Sequence, residues 1–193
     1  MSAIPALEIG VWNAWILMLY IPLHPLIMML IDKLVGTGDI LKKMETPAFN
    51  KTERIINIFS NFVVLFGLFI YSIFLPLQLG TAWFYVGLVL CVFGVVTWTI
   101  AIVNIADIPL GEPWNKGLYR YSRHPMTLAG YLILIGAGIA SVSWIFLLFS
   151  IVYIILGAIP TIAEERFCLE KFSTAYREYI NRTPRWLGLP KSQ

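Results

Sequence analysis

Between Gly117 and Glu165 the sequence gathers side chains that can do chemistry. The stretch opens on Gly117-Leu118-Tyr119-Arg120-Tyr121-Ser122-Arg123-His124-Pro125 and closes on Glu164-Glu165-Arg166. Arg123 and His124 can hold a carboxylate, the guanidinium in a bidentate way. Glu164 and Glu165 can accept from an ammonium group or a ribose diol. Tyr119, Tyr121 and Tyr131 offer flat faces to a purine. A helix opening at Pro125 would aim free backbone N–H groups at an anion. Together these groups suit a zwitterionic, nucleoside-containing small molecule. The same charges would also do no more than mark the end of a membrane helix.

Other chemistries find less support. His124 has no second histidine near it and no HExxH or His-x-x-x-His spacing, so a metal site is not expected. There is no G-x-S-x-G and no plausible Ser/His/Asp set for acyl transfer. Gly136-Ala137-Gly138 does not follow a strand, which excludes a dinucleotide fingerprint. Nothing points to nucleic acid.

The two charged clusters lie 40 residues apart, and the segment between them explains how they meet. Met126 to Pro160 is apolar throughout. As one helix it would be roughly 50 Å long, against about 30 Å for a bilayer's hydrocarbon core. The Gly/Ser-rich patch Gly136-Ala137-Gly138-Ile139-Ala140-Ser141-Val142-Ser143 offers a turn near its middle. A two-helix hairpin would return Glu164 and Glu165 to the membrane face that holds His124. With 193 residues, 59% hydrophobic, 13% charged and a mean hydropathy of +0.77, the chain reads as an all-α integral membrane protein. We expect five transmembrane helices, the last two forming the hairpin, and a C-terminal amphipathic helix in the cytosol.

The first span is expected over Ile9 to Ile31, kinked at Pro22 and Pro25, with His24 bonded to a freed carbonyl. A polar loop follows to Arg54, where Asn50 and Glu53 resemble a capping box. The second span runs from Ile55 to Leu75, with Asn57, Ser60 and Asn61 facing a neighbouring helix. The third runs from Thr81 to Ile105. Residues 1–105 then make a three-span membrane part, and 106–193 a catalytic region within one structural domain. The tail, Thr161 to Arg182, repeats apolar residues at helical steps and stops at Pro184. Cys91 and Cys168 read as unpaired. Five Lys/Arg fall in the loop from Asp32 to Arg54, three between Ala106 and Arg123 and six in the tail, accounting for all fourteen. Five spans put these on one side, so the N-terminus is expected outside, with the active site and C-terminus cytosolic.

Gly117-Leu118-Tyr119, Arg123-His124-Pro125, Gly130-Tyr131, Glu164-Glu165, Leu169, Phe172, Tyr176, Tyr179 and Pro184-Arg185 resemble the isoprenylcysteine carboxyl methyltransferase family, itself allied to membrane phospholipid methyltransferases. The likeness covers roughly the last 80 residues. Two positions depart from it: Thr127, where many relatives have Tyr, and Ser173, where many have Gly. The resemblance implies S-adenosylmethionine as methyl donor, with S-adenosylhomocysteine as product. It also implies an acceptor reaching the site from the bilayer, either a prenylated cysteine or another lipid. On that basis His124, Tyr131, Glu164 and Glu165, with Leu118 and Tyr119 largely through backbone, are expected to contact the cofactor. Asn104, Arg123, Arg182 and Arg185 are expected to face the acceptor. A phospholipid amine methyltransferase is the alternative, and an NADPH-dependent sterol-type reductase a more distant one.

Overall fold

A computed structural model describes residues 7–35 and 40–190. Asp39 of the polar loop, Lys191 of the tail and the first six residues lie outside the described residues. Five main helices build the fold: α1 (Trp15–Val35), α2 (Lys51–Ile73), α3 (Ala82–Ala106), α4 (Pro125–Ala140) and α5 (Trp144–Arg182). The described residues contain no strand. Four of the helices, α1, α2, α3 and α5, are long and apolar enough to cross a membrane, whereas α4 is apolar but has 16 residues. Their outer faces carry exposed Phe62, Val89, Leu148 and Ile155. In water such faces would be costly, and in lipid they are the expected surface.

Local sequence accounts for the helix boundaries and irregularities. α1 breaks at Leu19 and contains Pro25. That proline leaves the Ile21 carbonyl without its helical donor, and His24 Nδ1 lies 2.7 Å from this oxygen. α2 opens with the expected capping box, Asn50 accepting from the Glu53 N–H while Glu53 accepts from the Asn50 N–H. Its middle, Phe59–Leu65, widens into a π-helix. α3 and α5 are capped by Thr81 and Ser143, whose hydroxyls accept from the N–H groups of Phe84 and Phe146. Pro125 stands at the first turn of α4, where its missing N–H costs nothing.

The α4–α5 hairpin forms, but its glycines do not make the turn. α4 runs on through Gly136 and Gly138 to Ala140, and the reversal lies at Ser141-Val142-Ser143. The Ser143 N–H bonds the Gly138 carbonyl and the Val142 N–H bonds the Ile139 carbonyl, a Schellman ending with Val142 at φ 52°. Gly136 instead lets α3 approach: a Cβ there would come within 2.6 Å of both Cys91 Sγ and the Gly87 carbonyl. Gly94 fits equally closely, with a Cβ at 2.8 Å from the Ala129 carbonyl. Small residues on both helices thus make a close seam, the usual way to gain helix contact in lipid.

The tail departs from expectation in a second way. Pro160 does not end a span: α5 continues through it, and the helical run to Arg182 consists of two helices joined at a kink at Ser173 (φ 48°, ψ −115°). This backbone region favours glycine. We predict that Ser173→Gly stabilises the protein by about 1 kcal/mol through strain relief, read as a higher Tm in detergent. Gly136→Leu should lower Tm markedly, because the seam has no space to yield.

Candidate active site

The hairpin brings its two charged clusters into contact around the Glu165 carboxylate. Arg185 binds it with two parallel bonds, Nε to Oε1 at 2.9 Å and Nη2 to Oε2 at 2.7 Å. Arg123 Nη1 reaches Oε2 at 2.9 Å, and His124 Nε2 reaches Oε1 at 3.1 Å. Glu165 is 7% exposed, so these bonds replace its water. The other ring nitrogen of His124, Nδ1, lies 3.4 Å from Glu164 Oε2. Glu164 is 48% exposed and keeps acceptor capacity. Burial opposes a charge on His124, but hydrogen bonds to Glu164 and Glu165 outweigh it and raise the ring's pKa above its ordinary 6.5.

The loop ahead of α4 is held from three sides. Asn104, near the end of α3, accepts from the Leu118 N–H at 2.9 Å through Oδ1. Gly117 takes φ 56°, and a Cβ on it would collide with the Asn104 amide. Gly117–Arg120 then form one 3-10 turn that buries Tyr119. The Tyr179 hydroxyl on α5 donates to the Tyr119 carbonyl at 2.7 Å. After α5 the chain doubles back: the Arg123 N–H bonds the carbonyls of Pro184 and Arg185, and the Gly188 N–H bonds that of Tyr121. This return sets Trp186 beside both His124 and Tyr131, with ring centroids 6.0 and 6.3 Å apart.

Beside this cluster lies a cavity of about 530 Å³, within the usual range for a small-molecule site. Its polar lining includes Arg123, His124, Glu164, Tyr176 and Tyr179, and its apolar lining Ile21, Leu65, Trp98 and Leu134. Leu134 follows His124 by ten residues, so the cavity extends about 15 Å along α4. A smaller chamber of about 150 Å³ adjoins it between α2 and α5, sharing Asn57, Asn61, Thr127, Tyr131, Tyr153 and Glu164. Asn61 accepts from the Tyr153 hydroxyl at 3.3 Å, so this polar patch both joins α2 to α5 and lines the chamber. Met44 to Pro47 and Phe49 wall the large cavity from the polar loop. Arg166 secures that loop through both oxygens of Glu53 and the Ala48 carbonyl, and Lys171 through Glu45 at 2.7 Å.

The structure separates the expected site residues into groups. Arg123, His124, Tyr119, Tyr131 and Glu164 line the cavity. Glu165 and Arg185 sit behind it, bonded to each other. Leu118 contributes to the loop, its N–H being taken by Asn104. Arg182 lies at the surface, 49% exposed and 4.0 Å from Glu178, and like Asn104 it lines neither cavity. Trp186, Tyr153 and the Met44–Phe49 wall were not anticipated. Their single residues carry no motif and are recruited only by the fold.

The phospholipid methyltransferase family model matches residues 77–175, about half of the chain. The chain belongs to that family. No curated protein matches it. The match takes in α3, the loop, the hairpin and both glutamates, so Arg123, His124, Glu164 and Glu165 sit in the part that defines a phospholipid methyltransferase family member. It is a membrane methyltransferase, with a multi-pass helical body. Arg185 and Trp186 lie beyond the match, yet in this family member Arg185 completes the charged cluster and Trp186 packs beside it.

Two outcomes follow from the cluster. Glu165→Gln leaves two guanidiniums short of a counter-charge, and it should cost about 3 kcal/mol, measured by thermal unfolding in detergent. Folding favours the His124 imidazolium. Its stabilisation is therefore full below the unfolded pKa near 6.5 and is lost as pH rises through the raised folded value. Tm should fall across that alkaline-going window, and His124→Gln should remove that fall.

Proposed function

We propose that this methyltransferase uses S-adenosylmethionine to methylate the terminal carboxylate of an isoprenylated cysteine, or a similar lipid-borne acceptor, at the cytosolic face. The observation that carries this reading is one cavity lined by a charged cluster at the start of α4 and by apolar side chains further along it. A polar cofactor and a lipid need such adjoining surfaces.

The residues present fit the cofactor. Glu164 has free acceptor capacity for an ammonium group or a ribose diol. Met126 and Thr127 follow Pro125 in the first turn of α4 and line the cavity, and their N–H groups have no intrahelical partner. Arg123 Nε is buried without a hydrogen-bond partner among the described residues, which is costly unless an anionic oxygen completes it. Tyr119, Tyr131 and Tyr176 supply flat faces along the wall. When bound, S-adenosylmethionine supplies a methyl group already activated by its sulfonium. The protein's part is then to align acceptor and donor and keep water out. A carboxylate acceptor is ionised at neutral pH and needs no general base. Arg123 orients it, while the pairing to Glu165 moderates the grip. That moderation suits an acceptor that loses charge in the transition state. Arg185, His124 and Glu165 hold Arg123 in place.

S-adenosylhomocysteine titrated into purified protein should bind, and Glu164→Ala and His124→Ala should weaken it by about tenfold or more. Unchanged affinity would remove those residues from the cofactor site. Labelled methyl should pass to N-acetyl-S-farnesylcysteine above a buffer control. Label on phosphatidylethanolamine instead would move the acceptor to an amine.

A further inference from the structure

His24 and Trp98 lie in the same cavity, away from the charged cluster, and neither has a part in the methyl-transfer reading. His24 comes from α1 and Trp98 from α3, their ring centroids 5.2 Å apart and tilted by 36°. The indole of Trp98 rests on α4 at Gly130, where a Cβ would stand 3.2 Å from its ring. Gly130 is six residues past His124, so the pair lies about 9 Å deeper along α4.

Each ring carries unused hydrogen-bonding capacity. Trp98 Nε1 is buried and has no hydrogen-bond partner among the described residues. An indole N–H can only donate. His24 places Nδ1 2.7 Å from the Ile21 carbonyl. A carbonyl only accepts, so Nδ1 carries the hydrogen, and Nε2 of a neutral ring keeps its lone pair. An unmet donor and an open acceptor are therefore carried by two rings in contact, in a cavity whose lining also includes Ile21, Leu65, Met126 and Leu134. Apolar surroundings make an unmet donor expensive and a met one selective.

We propose that His24 and Trp98 form a hydrogen-bonding subsite for the acceptor, taking an uncharged group that both donates and accepts: a secondary amide or an alcohol. The inference rests on the lipid-acceptor reading above and adds to it the feature that selects among lipids. Trp98 Nε1–H donates to the ligand's oxygen, and His24 Nε2 accepts from its N–H or O–H. An acceptor whose apolar part lacks such a group leaves Trp98 unpaired.

Equilibrium binding to the full chain in detergent, with two matched probe pairs, tests this. One pair is N-acetyl-S-farnesylcysteine and S-farnesyl-3-mercaptopropionate, which differ by the acetamido group. The other is 1-acyl-lysophosphatidylethanolamine and its 2-deoxy analogue, which differ by the hydroxyl. The wild type should prefer the polar member of one pair by about tenfold, and which pair it is identifies the source of the group. Trp98→Phe, which keeps an aromatic ring on Gly130, should reduce that preference to within twofold. His24→Phe should do the same, while S-adenosylhomocysteine affinity is retained in both. No preference in the wild type, or a preference that survives Trp98→Phe, overturns the subsite. Failure of the wild type to bind S-adenosylhomocysteine counts instead against the methyltransfer reading, because that ligand does not depend on the pair.

Discussion

A carboxylate removed from bulk water must have its oxygens bonded and its charge balanced, and Glu165 meets both needs with groups from three places. Arg123 and His124 come from the start of α4, Arg185 from the chain beyond α5, and the carboxylate itself from α5. Glu165 lies 41 residues from His124 and 20 from Arg185. A single buried charge thereby fixes the open end of the hairpin, while Ser141 to Ser143 close the other end. Lost pairing at such a node leaves an uncompensated charge in a poor solvent for it. The position of every cavity-lining group on α4 and α5 depends on this closure.

The two adjacent glutamates have different surroundings, and the difference comes from exposure. Glu165 is saturated, and Glu164, one residue earlier, faces the cavity with capacity to spare. The glycines of α3 and α4 act in a complementary way. They let the backbones of α3, which carries Trp98, and of α4, which follows His124, nearly touch. Asn104 extends the same support to the loop, bonding Leu118 just as the chain leaves α3.

Much of this was legible from residue types. The length of Met126 to Pro160 against a bilayer's thickness called for a reversal that would bring His124 to Glu164. The capping box at Asn50 and the bond from His24 to the carbonyl freed by Pro25 follow from local chemistry alone. The purpose of Gly136 was not legible, because a glycine that relieves a turn and one that admits a neighbouring helix look alike until the neighbour is known. Pro160 was likewise ambiguous: a proline interrupts one hydrogen bond, and tertiary support decides whether the helix stops. Arg182 and Arg185 are near-equivalent in sequence, but one reaches Glu165 and the other the surface, since the chain turns between them at Thr183 and Pro184. The wall from Met44 to Phe49 depends on long-range pairs, Arg166 with Glu53 and Lys171 with Glu45, which no local pattern announces.

The order in which the ribosome makes these parts has a consequence. All five main helices are synthesised before Arg185, which completes the pairing of Glu165, and Trp186, which flanks His124. During translation the hairpin can insert and settle against α3 with its acidic pocket still open to the water that solvates it. Sealing then comes as a separate, later event, when the trailing segment folds back along Tyr121 and Arg123. Closure of the charged cluster therefore waits on a segment made after every membrane helix.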